Sequence, residues 1–146
     1  MDIRRAKPDD APDIVELETE YFSDPWGQKD IFSYICSEGG MCFSAIEDGR
    51  VIGYIIGTKI PPESEIYRIA VRKDKRQRGI GYRLLSYALK TERGSGVETV
   101  FLEVRESNTP ARALYKAYGF NEIGVRKNYY QKPTENAIVM FYGKPC

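Results

Sequence analysis

The sequence predicts a mixed α/β fold in which helices pack on both faces of one sheet. The first observation is the order of its periodic segments: strand, two helices, three strands, helix, strand, helix and two strands. The second is the Asp48-Gly49 dipeptide between two strand patterns, because both residues tolerate positive φ and suit a tight hairpin. The third is a strand–helix–strand unit through Gly79, which should form a right-handed parallel crossover. One mixed sheet satisfies all three observations.

The first half of the chain contains a strand, a helix pair and a hairpin. Pro8-Asp9-Asp10 leads into the first helix, whose residues Ile14, Leu17 and Tyr21 line one face. Segment 23–27 breaks that helix, Gly39-Gly40 ends the next one, and Pro61-Pro62 closes the hairpin region. The predicted elements are a strand at Asp2–Arg5, helices over 11–22 and 29–36, and strands over 41–47 and 51–60.

The second half alternates strands with two amphipathic helices before a final strand pair. Leu84, Leu85, Ala88 and Leu89 recur at helical spacing, and this helix should end near Arg93-Gly94. The predicted elements are a strand over 66–71, this helix, a strand over 97–104, a helix over 108–118 stopped by Gly119, and strands over 122–130 and 137–142.

Length and composition set the outer bounds. The 146 residues are expected to form a single domain, 1–146, which buries about 70% of the surface of its unfolded chain. A net charge of +1 gives no reason to expect a nucleic-acid partner. Asp2, Arg4 and Arg5 stand where a signal peptide would be apolar, and no stretch approaches the ~20 apolar residues of a membrane span. We therefore expect a cytoplasmic protein with no membrane partner.

The cysteine and histidine content excludes several kinds of site. Cys36, Cys42 and Cys146 are odd in number and lack paired zinc spacing, so free reduced thiols are expected. The chain has no histidine, which removes Ser-His-Asp and Cys-His nucleophilic machinery and the usual transition-metal sites. No metal is predicted, and any acid–base chemistry falls to carboxylate, tyrosine, lysine, cysteine or water.

The stretch Arg76-Gln77-Arg78-Gly79-Ile80-Gly81 lies between an apolar strand and a helix. No Ser, Thr, Asp or Asn stands between Lys75 and Gly81 to cap the helix, while two glycines and a local basic run are present. Converging N–H groups at the positive end of a helix dipole favour a phosphate by roughly 0.3–2 kcal/mol. A solvated, glycine-containing turn is the alternative. The stretch is neither a P-loop, since no Gly-Lys-Ser/Thr follows, nor a dinucleotide fingerprint, since position 84 is leucine.

Glu103 is a second candidate, because it stands among apolar residues in the strand Val100-Phe101-Leu102-Glu103-Val104-Arg105. Alternation places it on one face with Phe101 and Arg105. A mid-strand carboxylate is rarely buried without a reason. The alternative is a structural ion pair with Arg105 or with a neighbouring strand.

The helix that starts near Asn108 carries a third candidate, Tyr115. Asn108 is a plausible N-cap, Pro110 suits a first turn, and Tyr115 shares an inward stripe with other apolar residues. The inward residues are Ala111, Leu114, Tyr115 and Tyr118. From periodicity alone, Tyr115 is better explained as a core aromatic than as a catalyst.

Two of these stretches together resemble one family. Arg-x-x-Gly-x-Gly at 76–81 resembles the acetyl-coenzyme A signature of the GNAT acyltransferases. Asn-x-x-Ala-x-x-Leu-Tyr-x-x-x-Gly-Phe at 108–120 is similar to the second signature of that family, in the right order. With the strand at 69–71, the helix pair and the C-terminal strand pair, the resemblance covers essentially the whole chain. It implies a mainly antiparallel sheet in which strands 69–71 and 102–104 splay apart.

The resemblance also implies a cofactor, acetyl-CoA, with coenzyme A as product. The pantetheine arm would lie in the gap between the splayed strands, and 77–82 would hold the pyrophosphate. Arg76 stands where many relatives carry glutamine, a departure that leaves the main-chain and cationic roles of the position intact. The implied cofactor-binding residues are Ile69, Ala70, Val71, Gln77, Arg78, Gly79, Ile80, Gly81, Tyr82, Asn108 and Tyr115.

By the same resemblance Glu103 is the base that takes a proton from an amine, directly or through water, and Tyr115 protonates the departing thiolate. The blocks 22–26, 102–105, 126–130 and 137–140 are similar to the branch that acetylates the N-terminal alanine of a small-subunit ribosomal protein. Trp26, Tyr129 and Tyr130 would then contact an extended protein N-terminus, and the alternative is that they pack the sheet edge. Acetylation of a polyamine, another small amine or lysine is one alternative, and a non-catalytic acyl-CoA-binding module is another.

Overall fold

The computed structural model describes residues 1–143. They form seven strands in one sheet, of order β1-β2-β3-β4-β5-β7-β6, with four α-helices. The strands are β1 (Asp2–Arg5), β2 (Gly40–Glu47), β3 (Arg50–Ile60), β4 (Glu63–Val71), β5 (Thr99–Arg105), β6 (Asn121–Tyr130) and β7 (Glu135–Gly143). The helices are α1 (Ala11–Tyr21), α2 (Gln28–Cys36), α3 (Ile80–Arg93) and α4 (Thr109–Tyr118).

The predicted mixed sheet with a helix layer on each face is confirmed. Neighbouring strands are antiparallel except β4 and β5, which are parallel as the crossover through α3 requires. The Asp48-Gly49 turn joins β2 to β3 with both φ angles positive, as predicted. Three strands begin two or more residues from their predicted starts: β4 at Glu63 rather than 66, β5 at Thr99 rather than 97, and β7 at Glu135 rather than 137.

Each face of the sheet carries its own hydrophobic core. Alternation along the strands divides their side chains between the two faces. On one face α3 packs Leu84, Leu85 and Ala88, each 0% exposed, against the sheet. On the other face α1 contributes Ile14 and α2 contributes Ile31. The outer part of the second face, over β5, β7 and β6, lies beyond these two helices, so Phe101, Glu103 and Arg105 there are only half-buried.

Strands β4 and β5 pair over part of their length only. Their register runs from Glu63↔Thr99 to Ile66↔Leu102, whereas β4 continues to Val71 and β5 to Arg105. The edge of β4 that faces β5 therefore has no strand partner after Ile66. The splay expected from the family resemblance is present.

A β-bulge in β4 lies where the strands separate. Ile56 pairs with Arg68 and Gly57 pairs with Ile66, so Tyr67 is the extra residue. Gly57 permits the close approach of β3, because a Cβ there would lie 2.2 Å from the carbonyl oxygen of Glu65. The bulge lets both Tyr67 and Arg68 pack toward the α1–α2 layer.

Two further features concern residues outside the candidate site. Cys36 is exposed and Cys42 is buried, both as free thiols, and burial raises the pKa of Cys42 to about 12. Cys146, the third predicted free thiol, lies outside the described residues. Within residues 1–143, no helix is both long and apolar enough to cross a membrane.

Candidate active site

The N-terminus of α3 presents backbone N–H groups without a side-chain cap. Gly79 is the N-cap residue, with φ of 74° in the left-handed region that favours glycine, and none of the described side chains bonds to the first turn. The N–H of Arg83 reaches the carbonyl of Gly79 at 3.0 Å, which leaves the earlier N–H groups of Ile80, Gly81 and Tyr82 for another partner. The uncapped helix start that the sequence predicted is therefore present, and its role in anion binding stays a prediction.

Several basic side chains around this loop already interact with other residues of the same chain. Glu47 accepts from Lys75 Nζ at 2.8 Å and from Arg78 at 3.3 Å. Arg76 Nε donates to the carbonyl oxygen of Val71 at 3.0 Å, and its guanidinium lies 4.8 Å from the ring centroid of Tyr21. Arg76 thus ties the loop to β4, a role that the sequence analysis did not foresee.

The two loop glycines serve different purposes. A Cβ at Gly79 would meet no heavy atom within 4 Å, so its positive φ is the reason for glycine there. At Gly81 a Cβ would lie 3.2 Å from Leu114 Cδ2, so this glycine lets α3 approach α4. The family resemblance assigns both glycines to the pyrophosphate loop, and of the two only Gly79 has open surroundings.

Ile69, Ala70 and Val71 lie on β4 after the last β4–β5 pair. They are paired with β3 on one side, at Ile55, Tyr54 and Gly53 respectively. On the other side the strand edge faces the gap toward β5. An extended, hydrogen-bonding group can pair with such an edge as a neighbouring strand would.

Glu103 lines a cleft of about 320 Å³ beside the gap. Its Oε2 atom is buried and has no hydrogen-bond partner among the described residues. The nearest cation is Arg126 of β6, whose Nε lies 3.6 Å from Oε2, outside hydrogen-bond range. A buried carboxylate oxygen without a hydrogen bond is costly, which suits a group held ready for a donor. Arg105 is not its ion-pair partner, because it bonds Glu135 at 3.2 Å instead.

Tyr115 lies on the opposite side of β5 from Glu103, in the core with α3. It is 4% exposed, and its ring centroid lies 5.5 Å from that of Phe120. The pKa of the Tyr115 hydroxyl is raised, mainly by burial and to a smaller extent by the neighbouring Tyr130. Asn108 is the predicted N-cap of α4, since its Oδ1 accepts from the N–H of Ala111 at 3.2 Å. Tyr115 is thus a core aromatic by packing, and its hydroxyl keeps its proton at neutral pH.

Tyr129 and Tyr130 lie at the end of β6, close to Glu103. The β6–β7 ladder is irregular between Arg126 and Tyr130, where Asn128 has a φ of 53°. The pKa of both tyrosines is raised, mainly by burial and next by the Glu103 carboxylate. The pKa of Tyr130 rises to about 12. The two rings meet edge to face at 5.1 Å, and the Arg105 guanidinium lies 4.5 Å from the Tyr130 centroid.

Trp26 lies in the segment between α1 and α2 and packs against protein aromatics. Its ring stacks on Tyr34 at 5.1 Å and meets Tyr67 edge to face at 5.6 Å. It does not line the cleft at Glu103, unlike Glu65, Phe101 and Arg126. Of the three aromatics predicted to contact substrate, the structure brings two near Glu103 and places Trp26 in a neighbouring aromatic cluster.

Sequence reasoning missed three residues of this region, namely Glu65, Arg68 and Arg126. Glu65 and Arg126 line the cleft, and Arg68 holds the segment between α1 and α2 through Glu18 and Asp24. Glu65 was missed because the Glu-Ser-Glu start of β4 is polar and was placed before the strand. The alternation Glu63, Glu65 against Ser64, Ile66 was the signal that could have extended the strand.

Comparison with known proteins places this arrangement among acetyltransferases. Residues 11–120 match the model of the acetyltransferase (GNAT) family. The chain is 35% identical over 135 residues to the ribosomal protein bS18-alanine N-acetyltransferase of Escherichia coli K12, covering 90% of this chain and 89% of that protein. It is 36% identical over 133 residues to the enzyme of that name from Haemophilus influenzae, covering 87% and 88%. The crystal structure of the ribosomal-protein-S18-alanine N-acetyltransferase from Escherichia coli has a TM-score of 0.88 at 32% identity, covering 97% and 92%.

Proposed function

Since the chain belongs to the acetyltransferase (GNAT) family and is an N-acetyltransferase, we propose that it is an acetyl-CoA-dependent Nα-acetyltransferase of a protein N-terminus. The proposed acceptor is the N-terminal alanine of a small-subunit ribosomal protein, which also implies that the enzyme acts in the cytoplasm. The names of the E. coli and H. influenzae relatives support this acceptor. The observation that carries the proposal is the buried Glu103 oxygen that has no hydrogen bond, in an open cleft near Tyr129 and Tyr130.

The residues around the splay fit acetyl-CoA. The uncapped N–H groups of Ile80, Gly81 and Tyr82 at the positive end of α3 suit a pyrophosphate, with Gln77, Arg78 and Gly79 shaping the loop. The unpaired edge of β4 at 69–71 suits the amides of a pantetheine arm, and Asn108, the N-cap of α4 after β5, is proposed to contact the same arm. When bound, this cofactor would supply an acetyl group activated as a thioester.

Glu103 is the proposed base for the incoming amine. An α-amine with pKa near 7.7–8.0 is already roughly a tenth neutral at pH 7, whereas a lysine near 10.4 is neutral in about one molecule in 2,500. That gap of about 2.5 pH units corresponds to roughly 3.4 kcal/mol. One positioned carboxylate contributes about 10²–10⁴-fold, which suffices for an α-amine and is stretched for a lysine. Direct transfer in a ternary complex needs no covalent enzyme intermediate, in agreement with the lack of histidine.

Tyr115 is the proposed general acid. Its raised pKa means that the hydroxyl holds a proton throughout the neutral range and can donate it. After burial, the Glu103 carboxylate raises the pKa of Tyr130, and Tyr130 raises that of Tyr115, so Tyr130 is electrostatically coupled to both proposed catalytic groups.

The acceptor side of the cleft favours an extended peptide. Tyr129 and Tyr130 offer rigid rings and hydroxyl groups that can hydrogen-bond a peptide backbone. Trp26, which packs against Tyr34 and Tyr67, would support the segment between α1 and α2 as a further wall for the peptide. A compact amine that reaches only Glu103 would make few of these contacts.

Competing acceptors test the proposal. We would compare acetylation of an alanine-initiated ribosomal-protein peptide with that of the same peptide carrying a blocked N-terminus and an internal lysine, and with spermidine. The free N-terminus should be modified at least tenfold faster than either alternative. Tyr130→Ala should lower kcat/KM for the peptide and leave that for spermidine nearly unchanged. Equal rates for the blocked peptide or for spermidine would refute the N-terminal assignment.

A further inference from the structure

The cleft beside the splay contains a second carboxylate, that of Glu65. Glu65 is half-buried on β4 and lies opposite Phe101 in the parallel register with β5. Glu103 follows two residues later on the same face of β5, so both carboxyl groups point into one cleft. The mechanism above uses Glu103 and gives Glu65 no part.

The charges around this cleft favour a cation. Three carboxylates line it, those of Glu63, Glu65 and Glu103, against the single guanidinium of Arg126. Arg126 is 60% exposed on its side chain and stands 5.5 Å from the Tyr129 ring centroid, so it does not fill the cleft. A cleft with an excess of one sign concentrates ligands of the opposite sign.

The Glu103 carboxylate retains a free acceptor position, because its buried Oε2 has no hydrogen-bond partner among the described residues. Glu65 is half-buried and lines the same cleft. An ammonium group has three N–H donors and no acceptor. It therefore complements a pair of carboxylates, whose oxygens only accept hydrogen bonds. A neutral amine has fewer donors and gains less from them.

We propose that Glu65 is a specificity-determining residue that binds the acceptor's ammonium group together with Glu103, so that the amine enters the cleft as a cation. This inference rests on the proposed function, in which Glu103 then takes the proton. The effect of Glu103 on Glu65 supports their proximity, because burial and then the Glu103 carboxylate raise the pKa of Glu65 while Arg126 opposes them. The ionisable groups that face Glu65 from the surrounding elements are Tyr34, Glu63, Glu103, Arg126 and Tyr129.

The test compares two isosteric variants, Glu65→Gln and Glu63→Gln. Both remove one negative charge from the same cleft and from the same strand, but Glu63 is exposed at the strand start. At pH 6.5, where an α-amine is almost fully protonated, Glu65→Gln should raise KM for the alanine-initiated peptide about tenfold, the value of one lost charge-assisted hydrogen bond. Its kcat should stay within about threefold, since Glu103 is intact. Glu63→Gln should change KM by no more than about twofold.

The pH dependence separates ammonium binding from a structural role. Above about pH 8.5 most of the acceptor is neutral, so the KM ratio between Glu65→Gln and wild type should shrink toward one. Glu65→Asp should recover part of the affinity at pH 6.5. Equal KM increases in the two glutamine variants, a KM ratio independent of pH, or no increase in Glu65→Gln would overturn the inference.

The acceptor comparison keeps this inference separate from the proposed function. If wild-type enzyme acetylates spermidine but no peptide N-terminus, the proposed acceptor is wrong, and the same variants are compared with spermidine by the same criteria. If the peptide is the substrate and Glu65→Gln behaves as wild type, the proposed function stands and the role of Glu65 is refuted.

Discussion

Replacement of Arg68 by methionine should destabilise the protein strongly and loosen the segment between α1 and α2. Arg68 Nη1 donates to Glu18 Oε2 at 2.5 Å, and Glu18 is 0% exposed. Glu18 also accepts from the Tyr54 hydroxyl at 2.7 Å and from the Trp26 N–H at 3.0 Å. The second Arg68 nitrogen reaches the Asp24 carbonyl at 3.0 Å, so this one side chain links β4, α1 and the following segment.

The expected loss follows from the charge that would remain buried. Removal of one partner from a buried ion pair costs about 3–5 kcal/mol, because the other charge is left uncompensated. Glu18 keeps its bonds from Tyr54 and Trp26, so we expect the lower end, about 3 kcal/mol. For a chain near 150 residues, this corresponds to a fall in Tm of roughly 6–12 °C. Methionine preserves an apolar stem against Phe22 and Trp26, whose rings the guanidinium now covers at 4.4 and 4.5 Å.

Urea unfolding followed by far-UV circular dichroism and by tryptophan fluorescence measures both effects. Trp26 is the only tryptophan of the chain, so fluorescence reports on this segment alone. In Arg68→Met the fluorescence transition should precede the loss of secondary structure, and KM for a peptide acceptor should rise. A second substitution, Glu18→Gln, should recover at least about 1 kcal/mol by removing the orphaned charge.

Arg50 of β3, which pairs with a carboxylate of the same helix α1, provides the control. Arg50 pairs with Glu16 of α1 at 3.8 Å, with both side chains more than half exposed. Arg50→Met should therefore change stability by less than about 0.5 kcal/mol. The reasoning fails if Arg68→Met costs less than about 1 kcal/mol, or if the double variant is no more stable than Arg68→Met alone.

Three further outcomes are expected. Glu103→Gln and Tyr115→Phe should each keep the fold and most acetyl-CoA affinity but lower turnover at least tenfold, measured with saturating cofactor; wild-type rates would show that the proposed roles are misassigned. Gly79→Asp places a carboxylate at the uncapped start of α3 and should weaken acetyl-CoA binding at least tenfold by calorimetry, whereas Gly49→Asp, with a similar φ of 75°, should leave affinity unchanged. For Asp10, burial alone would raise the pKa. Hydrogen bonds from Arg4, the Lys7 backbone N–H and Ser44 outweigh burial and hold the pKa below its usual value. Its stabilising effect is therefore present above about pH 4 and is lost as the pH falls through the lowered value, so the acid limb of stability against pH should flatten in Asp10→Asn.

The sequence by itself determined the local elements and much of the chemistry on them. The strand at Asp2–Arg5, the Asp48-Gly49 turn, the uncapped start of α3 and the Asn108 cap all follow from short-range rules of periodicity, φ preference and capping. Such rules act within a few residues, so a short stretch of sequence is enough to predict these local structures. The resemblance of two sequence motifs to one family also indicated Glu103 and the glycine loop as candidate site residues.

Tertiary structure alone decided which of these residues meet. Alternation places Glu103 on a face but does not say which cation faces it, and the structure brings Arg126 rather than Arg105. The bulge at Tyr67 depends on a glycine in another strand, and the second carboxylate of the cleft comes from a polar strand start that periodicity discounted. Gly81 carries a glycine for the sake of a helix some thirty residues away, through its contact with Leu114. These outcomes depend on pairing and packing between distant segments, and the hydrophobic pattern of a single segment contains no record of its partner.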